Sequence, residues 1–345
     1  MPIEKRQRAV RAGLMAALAA AVLATGAQAA EEVNIYSYRQ EFLIKPFLDK
    51  FTEKTGVKVN VVYAEKGMVE RLVREGENTP ADMVLTVDIA RLKEHADAGV
   101  LQPVKSKVLE ENVPAQYRAP DGLWYGLSTR VRILGVSKDR VPAGAIKDYE
   151  DLADPRWKGK ICTRPGSHEY NRALVASLIA AHGEQKAEEL VRKIVANFAQ
   201  KAQGNDRSQA KAVMEGVCDV AIMNHYYYFA MKMNEKEPEQ KQWADAIRIV
   251  FPNQDGRGTH VNISGGGITK HAKNKANAVK LMEFLSSDEA QQMYAAVNYE
   301  FPVNPHVQPS AEVQALGKFK SDPLPIARIA ELSEAAQKIV DRTGW

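Results

Sequence analysis

Tyr226, Tyr227 and Tyr228 stand in a row behind Asn224-His225, directly after the apolar run 217–223. That run reads as a strand, so the tyrosines lie at its carboxyl end. Successive side chains point in different directions in a strand or a helix, so three consecutive rings cannot share one core. At least one ring is expected to face outward beyond the strand; plain packing with the hydroxyls outermost is the other reading. Ser167-His168-Glu169-Tyr170-Asn171 follows a second strand, 160–163, and precedes a helix. Tyr38-Arg39-Gln40-Glu41 follows the first strand, 33–37. Three polar loops at three strand ends are expected to meet in one crevice.

Phenolate oxygens are hard, anionic donors. A tyrosine with an ordinary pKa near 10 ionises at neutral pH only beside a highly charged cation, and the ferric ion is the common biological ion of that kind. Softer metals favour Cys or several His, and neither Cys162 nor Cys218 has ligand spacing. The same tyrosines can be read as an aromatic cage for an organic cation, thiamine-like or quaternary ammonium, which would use ring faces instead of oxygens. An enzyme using Glu41, His168 and Glu169 as acid–base groups is the third reading, and it lacks support. No Gly-x-Ser-x-Gly elbow is present, and Ser264-Gly265-Gly266-Gly267 lacks the Gly-Lys-Ser/Thr ending of a phosphate loop. The expectation is therefore a binding protein, not an enzyme. His182, His260 and His271 are expected at the surface or at helix caps.

The elements that position these loops follow from hydrophobic periodicity. Strands at 33–37, 57–63 and 81–85 alternate with helices from 44, at 68–75 and at 89–98, which implies parallel sheet with helices on both faces. Two long extended stretches, 127–137 and 260–268, interrupt the alternation. Further helices are expected at 171–182, 184–198, 208–215, 274–285 and 288–297. Two extended crossings between two α/β halves suggest a clamshell: each lobe a mostly parallel sheet flanked by helices, joined by two hinge strands. Its ligand should sit in the cleft, outside the carboxyl ends of the strands.

The first 29 residues differ from the rest. Lys5, Arg6, Arg8 and Arg11 precede an apolar stretch that ends in Ala27-Gln28-Ala29, the pattern of a cleaved secretory leader. Removing its four positive charges and one negative lowers the formal net charge from +4 to +1, which leaves no electrostatic case for nucleic acid or membrane-surface binding. Export to an oxidising compartment favours a bond between Cys162 and Cys218 over two buried thiols, worth about 3–5 kcal/mol by loop entropy.

In NIYSYRQEFLIKPFLDKFTEKTGVKV, PADMVLTVDIARLKEHADAGVLQPV, YEDLADPRWKGKICTRPGSHEYN and GNDRSQAKAVMEGVCDVAIMNHYYY, the chain resembles the periplasmic ferric-iron-binding proteins of bacterial ABC importers. The likeness spans nearly all of the mature chain, and the strand-end tyrosine pair is its specific part. It implies the two-lobed periplasmic binding protein fold, with a signal peptide at 1–29. Lobe 1 would comprise 30–130 plus about 263–312, and lobe 2 would comprise 131–262 plus about 313–345. It implies Fe(3+) held by Tyr170, Tyr226 and Tyr227. In several members the loop after the first strand adds His and Tyr; here Gln40 stands at the His position and the Tyr is missing, which leaves Gln40 or Tyr38 as the first-lobe candidate. Other members complete the shell with an anion such as carbonate held by arginine, a role open to Arg39 and Arg130, whose other readings are a place in the layer behind the ligands and a salt bridge across the cleft. The implied partners are an inner-membrane permease and its ATPase, the implied location is the periplasm, and the implied state is a monomer.

Overall fold

Alternating strands and helices build the first half of the molecule. The computed structural model describes residues 31–64 and 66–345, and the expected leader lies outside them. β1 (Glu32–Ser37) pairs in parallel with β2 (Lys58–Tyr63) on one edge and with β3 (Met83–Thr86) on the other. The helix Glu41–Thr55 links β1 to β2 and buries Ile44, Phe47, Leu48 and Phe51, the spacing that keeps one face of a helix on the sheet. It starts three residues earlier than periodicity suggested, so Pro46 lies inside it instead of in its first turn. Pro46 has no N–H for the Phe42 carbonyl, and Phe42 is exposed to water, which can satisfy that oxygen. Gly56, at φ 72°, ends the helix with its N–H on the Thr52 carbonyl.

The remaining strands are β4 (Leu101–Gln102), β5 (Tyr125–Ser137), β6 (Ile161–Cys162), β7 (Val220–Asn224), β8 (Ile247–Val250) and β9 (Val261–Thr269). Their order is β2-β1-β3-β9-β5-β7-β6, with β4 on β9 and β8 on β5. β5 and β9 are the two long crossings expected from the sequence. Up to Val131, β5 lies antiparallel to β9; from Arg132 onward it pairs with β7, and further along with β8. This change of partner makes two lobes from one continuous sheet, the α/β clamshell. Gly265, Gly266 and Gly267 lie where β9 is gripped by β3 and β5. A Cβ there would come within 2.5 Å of the Tyr125 carbonyl oxygen, 2.9 Å of Val84's and 2.7 Å of Leu123's. The run serves close packing of backbones.

Of the buried clusters two are large. One joins Phe47, Phe51, Met83, Ile268 and Leu281; the other joins Leu134, Ile161, Leu178, Ile222 and Ile339, and also takes in Ile89, Leu92 and Trp124 from the first half of the chain. The helix Ser333–Thr343 packs on Glu169–His182. β7 begins three residues later than expected, and Val217 is exposed. β8 has no counterpart in the sequence reading.

Cys162 and Cys218 are bonded, with Cα atoms 5.9 Å apart. β6 lies parallel to β7, and Cys162 is opposite Ala221, so the bond ties β6 to the turn that enters β7. Both strands feed the tyrosine loops. Replacing both cysteines by Ala should leave the fold but open a loop of 56 residues in the unfolded chain. By loop entropy this costs about 3–5 kcal/mol, to be read from chemical denaturation midpoints. An unchanged midpoint would show the bond to be energetically idle.

Candidate functional site

β7 ends at Asn224 and the helix His225–Lys232 starts at the next residue. The switch from strand to helix fans the three rings apart. Tyr226 and Tyr227 line the cleft between the lobes, while Tyr228 turns away and packs edge-on against Phe229 with ring centroids 5.3 Å apart. The second loop delivers Tyr170 to the same place, in the first turn of the helix Glu169–His182. His168 caps that helix, its Nδ1 accepting the Tyr170 N–H at 3.3 Å. The Tyr226 hydroxyl donates to the Tyr170 oxygen at 3.2 Å, and the rings of Tyr226 and Tyr227 lie 4.5 Å apart. The cleft has a volume of about 1030 Å³ and is lined also by Tyr38, Gln40, Arg91, Arg164, Glu169 and Arg207.

Burial dominates the electrostatics. It pushes the Tyr170 and Tyr226 phenols well above their ordinary pKa; Tyr227 raises both further and Tyr170 raises Tyr226, while Arg130 pulls both back and the Tyr226 hydroxyl, by donating, lowers Tyr170. Both phenols are thus neutral at pH 7 in the protein alone. Burial holds His168 down at about 4, so its imidazole is neutral. For Glu169 burial raises the carboxyl, but His168 and Arg91 outweigh it and leave the group below the usual value. Cations surround the tyrosines: the guanidiniums of Arg164, Arg130 and Arg132 lie 4.9, 5.4 and 5.9 Å from the Tyr170 ring centre, and Arg207 lies 5.4 Å from that of Tyr227. A site with this wall resists a free cation but favours oxygens that become negative.

Under the tyrosines lies a buried polar network. Arg132 donates through Nη1 to Asp206 (2.7 Å) and Asn224 (3.1 Å), and through Nη2 to Asn171 (2.6 Å). Asp206 also accepts the Asn224 N–H at 2.8 Å and pairs with Arg164 at 3.3 Å. Asn171 follows Tyr170, and Asn224 precedes Tyr226 by two residues. One guanidinium on β5 therefore sets the spacing of both tyrosine-bearing helix starts. Among the described residues no cluster of three or more His, Cys, Asp or Glu is placed to hold a metal.

A family model described as bacterial extracellular solute-binding protein matches residues 78–321. The chain belongs to this family. Iron uptake protein A1 of Synechocystis sp. (strain ATCC 27184 / PCC 6803 / Kazusa) is 42% identical to this solute-binding protein, over 91% of the chain and 88% of the relative. Among solved structures, the apo ferric ion-binding protein A of Pasteurella haemolytica is 49% identical with a TM-score of 0.87, covering 91% of this chain and 98% of that one. The Trichodesmium protein IdiA (FutA), solved in complex with iron and citrate ligands, is 43% identical with a TM-score of 0.86, covering 91% and 99%.

The first-lobe candidates of this solute-binding protein fall into different places. Gln40 is exposed at the cleft wall. Tyr38 also lines the cleft, but its oxygen accepts the Met68 N–H at 3.2 Å and its ring lies under Arg91, 4.3 Å away. Arg39, expected to hold an anion, is buried and committed elsewhere: it pairs with Glu300 at 2.6 Å and donates to Ser264 at 2.7 Å. Arg130 is pinned as well, by Ser264 at 2.7 Å, Ile263 O at 3.1 Å and the Val87 carbonyl, though its charge still reaches the tyrosines. Arg91, Arg164 and Arg207 line the cleft instead, and sequence reasoning missed all three. Each stands near a strand end or a helix start, which was the available signal. His260 is buried rather than at the surface.

Proposed function

We propose that this chain is the periplasmic substrate-binding component of an ABC importer for ferric iron, with Tyr170, Tyr226 and Tyr227 as phenolate donors. The observation that carries this reading is the 3.2 Å approach of the Tyr226 and Tyr170 oxygens, brought together from two helix starts in the interlobe cleft. Oxygens that share one proton as neutral phenols can share one cation as phenolates. The iron uptake and ferric ion-binding relatives point the same way. Three phenolates neutralise Fe(3+), and the arginine wall then stabilises the anionic donors while they form. Gln40 or Tyr38 is the first-lobe contact, and an anion such as carbonate would meet Arg91, Arg164 or Arg207 rather than Arg39 or Arg130. The loaded protein, a monomer, would deliver to an inner-membrane permease driven by its ATPase. The lobes divide as 30–130 plus about 263–312 and 131–262 plus about 313–345, with 1–29 as the export leader.

An aromatic cage for an organic cation is less well supported. A cage needs open ring faces, and here guanidiniums approach the rings of Tyr170 and Tyr227 while Tyr226 leans on Tyr227. An incoming organic cation would meet like charge on several sides.

The test follows from protonation. Tyr170 and Tyr226 are raised by burial, so at pH 7 both carry protons until the metal displaces them. Loading one ferric ion should release at least about two protons, and affinity should rise with pH. Calorimetry in two buffers of different ionisation enthalpy counts the protons, with iron supplied as a chelate of known protonation, and a visible phenolate–iron band should grow in step. Uptake with neither proton release nor colour would sink the reading.

A further inference from the structure

His225 takes no part in the site described above, although it directly precedes Tyr226. Its side chain is wholly buried, and both ring nitrogens are used on backbone groups. Nδ1 accepts the Val131 N–H at 3.2 Å, so the proton is on Nε2, which donates to the Tyr299 carbonyl at 2.7 Å. These partners belong to different parts of the machine. Val131 is the last residue of β5 paired with β9, at the point where the strand passes to β7. Tyr299 follows the helix Asp288–Val297, whose Tyr294 packs on Phe47 in the first-lobe core, ring centroids 4.3 Å apart. Tyr299 holds a left-handed backbone, φ 55°, and the next residues are fixed in turn: Glu300 pairs with Arg39, and Phe301 exchanges two backbone hydrogen bonds with Thr129. A non-glycine residue in that conformation needs surroundings that hold it there.

We propose that His225 is a positioning residue that ties the placement of the Tyr226 and Tyr227 oxygens to the hinge strand and to the first lobe. The inference rests on the iron-site reading and deepens it. If the lobes part, the Tyr299 carbonyl moves relative to β7, and His225 is the side chain that links this movement to the first turn of the tyrosine helix. Tyr226 and Tyr227 then reach metal-binding geometry only with the first lobe in place, so closure and coordination rise or fall together.

The two bonds can be separated by substitution. His225→Gln places an amide N–H near the Nε2 position and keeps a donor for Tyr299; His225→Asn places a carbonyl near Nδ1 and keeps an acceptor for Val131. His225→Phe keeps the ring and loses both bonds. Purified full-length mature protein is loaded with ferric iron, and affinity, dissociation rate and the position of the visible band are measured beside the thermal midpoint of the iron-free form. His225→Phe and His225→Asn should release iron at least about tenfold faster with a displaced band, the size of effect that outer partners of metal ligands have. His225→Gln should recover most of the wild-type rate. A fold that survives only in the Gln and Asn variants still decides the matter, since each keeps one of the two bonds, Gln the one to Tyr299 and Asn the one to Val131. Equal release rates and an unmoved band in the folded Asn and Gln variants would overturn the proposal while leaving the tyrosine site intact. Wild-type protein that binds iron without a phenolate band would overturn both.

Discussion

Tyr226→Phe should lose ferric iron binding by at least about tenfold and bleach or shift the visible band, with Tyr227→Phe and Tyr170→Phe close behind, because removing a donor costs more than disturbing its support. Each change keeps the ring and removes one oxygen, so packing in the cleft wall is preserved. The iron-free proteins should change far less. The Tyr226 and Tyr170 hydroxyls meet at 3.2 Å, a spacing at the long end for a hydroxyl pair. Removing one leaves the other without this partner, but both residues are only half-buried in the cleft wall, where water can take its place. Thermal midpoints of the apo variants should therefore fall only slightly while metal binding collapses. Tyr228→Phe is the control, since that ring lies off the cleft against Phe229. Normal affinity and colour in both Tyr226→Phe and Tyr227→Phe would remove the phenolate site and restore the aromatic-cage reading.

The tyrosines were legible in the sequence because local pattern was enough. An apolar run such as 217–223 has a recognisable end, and the residues just beyond it lie near the cleft in a parallel α/β lobe. The crossings β5 and β9 were legible for the same reason: long extended runs interrupt a strand–helix alternation. What local pattern cannot give is the partner of a buried charge. Arg39 was assigned to the cleft because it follows β1, yet Glu300, 261 residues away, draws it into the first-lobe core. Arg130 and Arg132 alternate in the run 127–137 and so share one face of a strand, but nothing local says what that face meets. Only the register of β5 against β7, which sets Arg132 opposite Asn224, reveals what that face does. β8 escaped notice because IRIV is four residues long and directly follows a helix, too short for periodicity to speak.

Arg132→Met should be the most damaging change outside the tyrosines. Arg132 and Asp206 are both almost fully buried, and their ion pair at 2.7 Å is supported by Asn171 and Asn224. Taking away the guanidinium leaves the Asp206 carboxylate inside the lobe with Arg164 at 3.3 Å as its remaining ion-pair partner. Breaking a buried pair from one side costs about 3–5 kcal/mol, because the stranded charge keeps its desolvation penalty. The same change takes one hydrogen bond each from Asn171 and Asn224, which adjoin the helix starts carrying Tyr170 and Tyr226, so iron affinity should fall as well. Arg132→Lys separates the two effects. An ammonium restores charge beside Asp206 but lacks the planar fork that reaches three acceptors at once. It should recover much of the denaturation midpoint and little of the iron affinity. If Arg132→Met unfolds at the wild-type denaturant concentration, the network does not support the lobe. If Arg132→Lys binds iron as the wild type does, charge alone suffices and the fork has no part in setting the distance between the tyrosines.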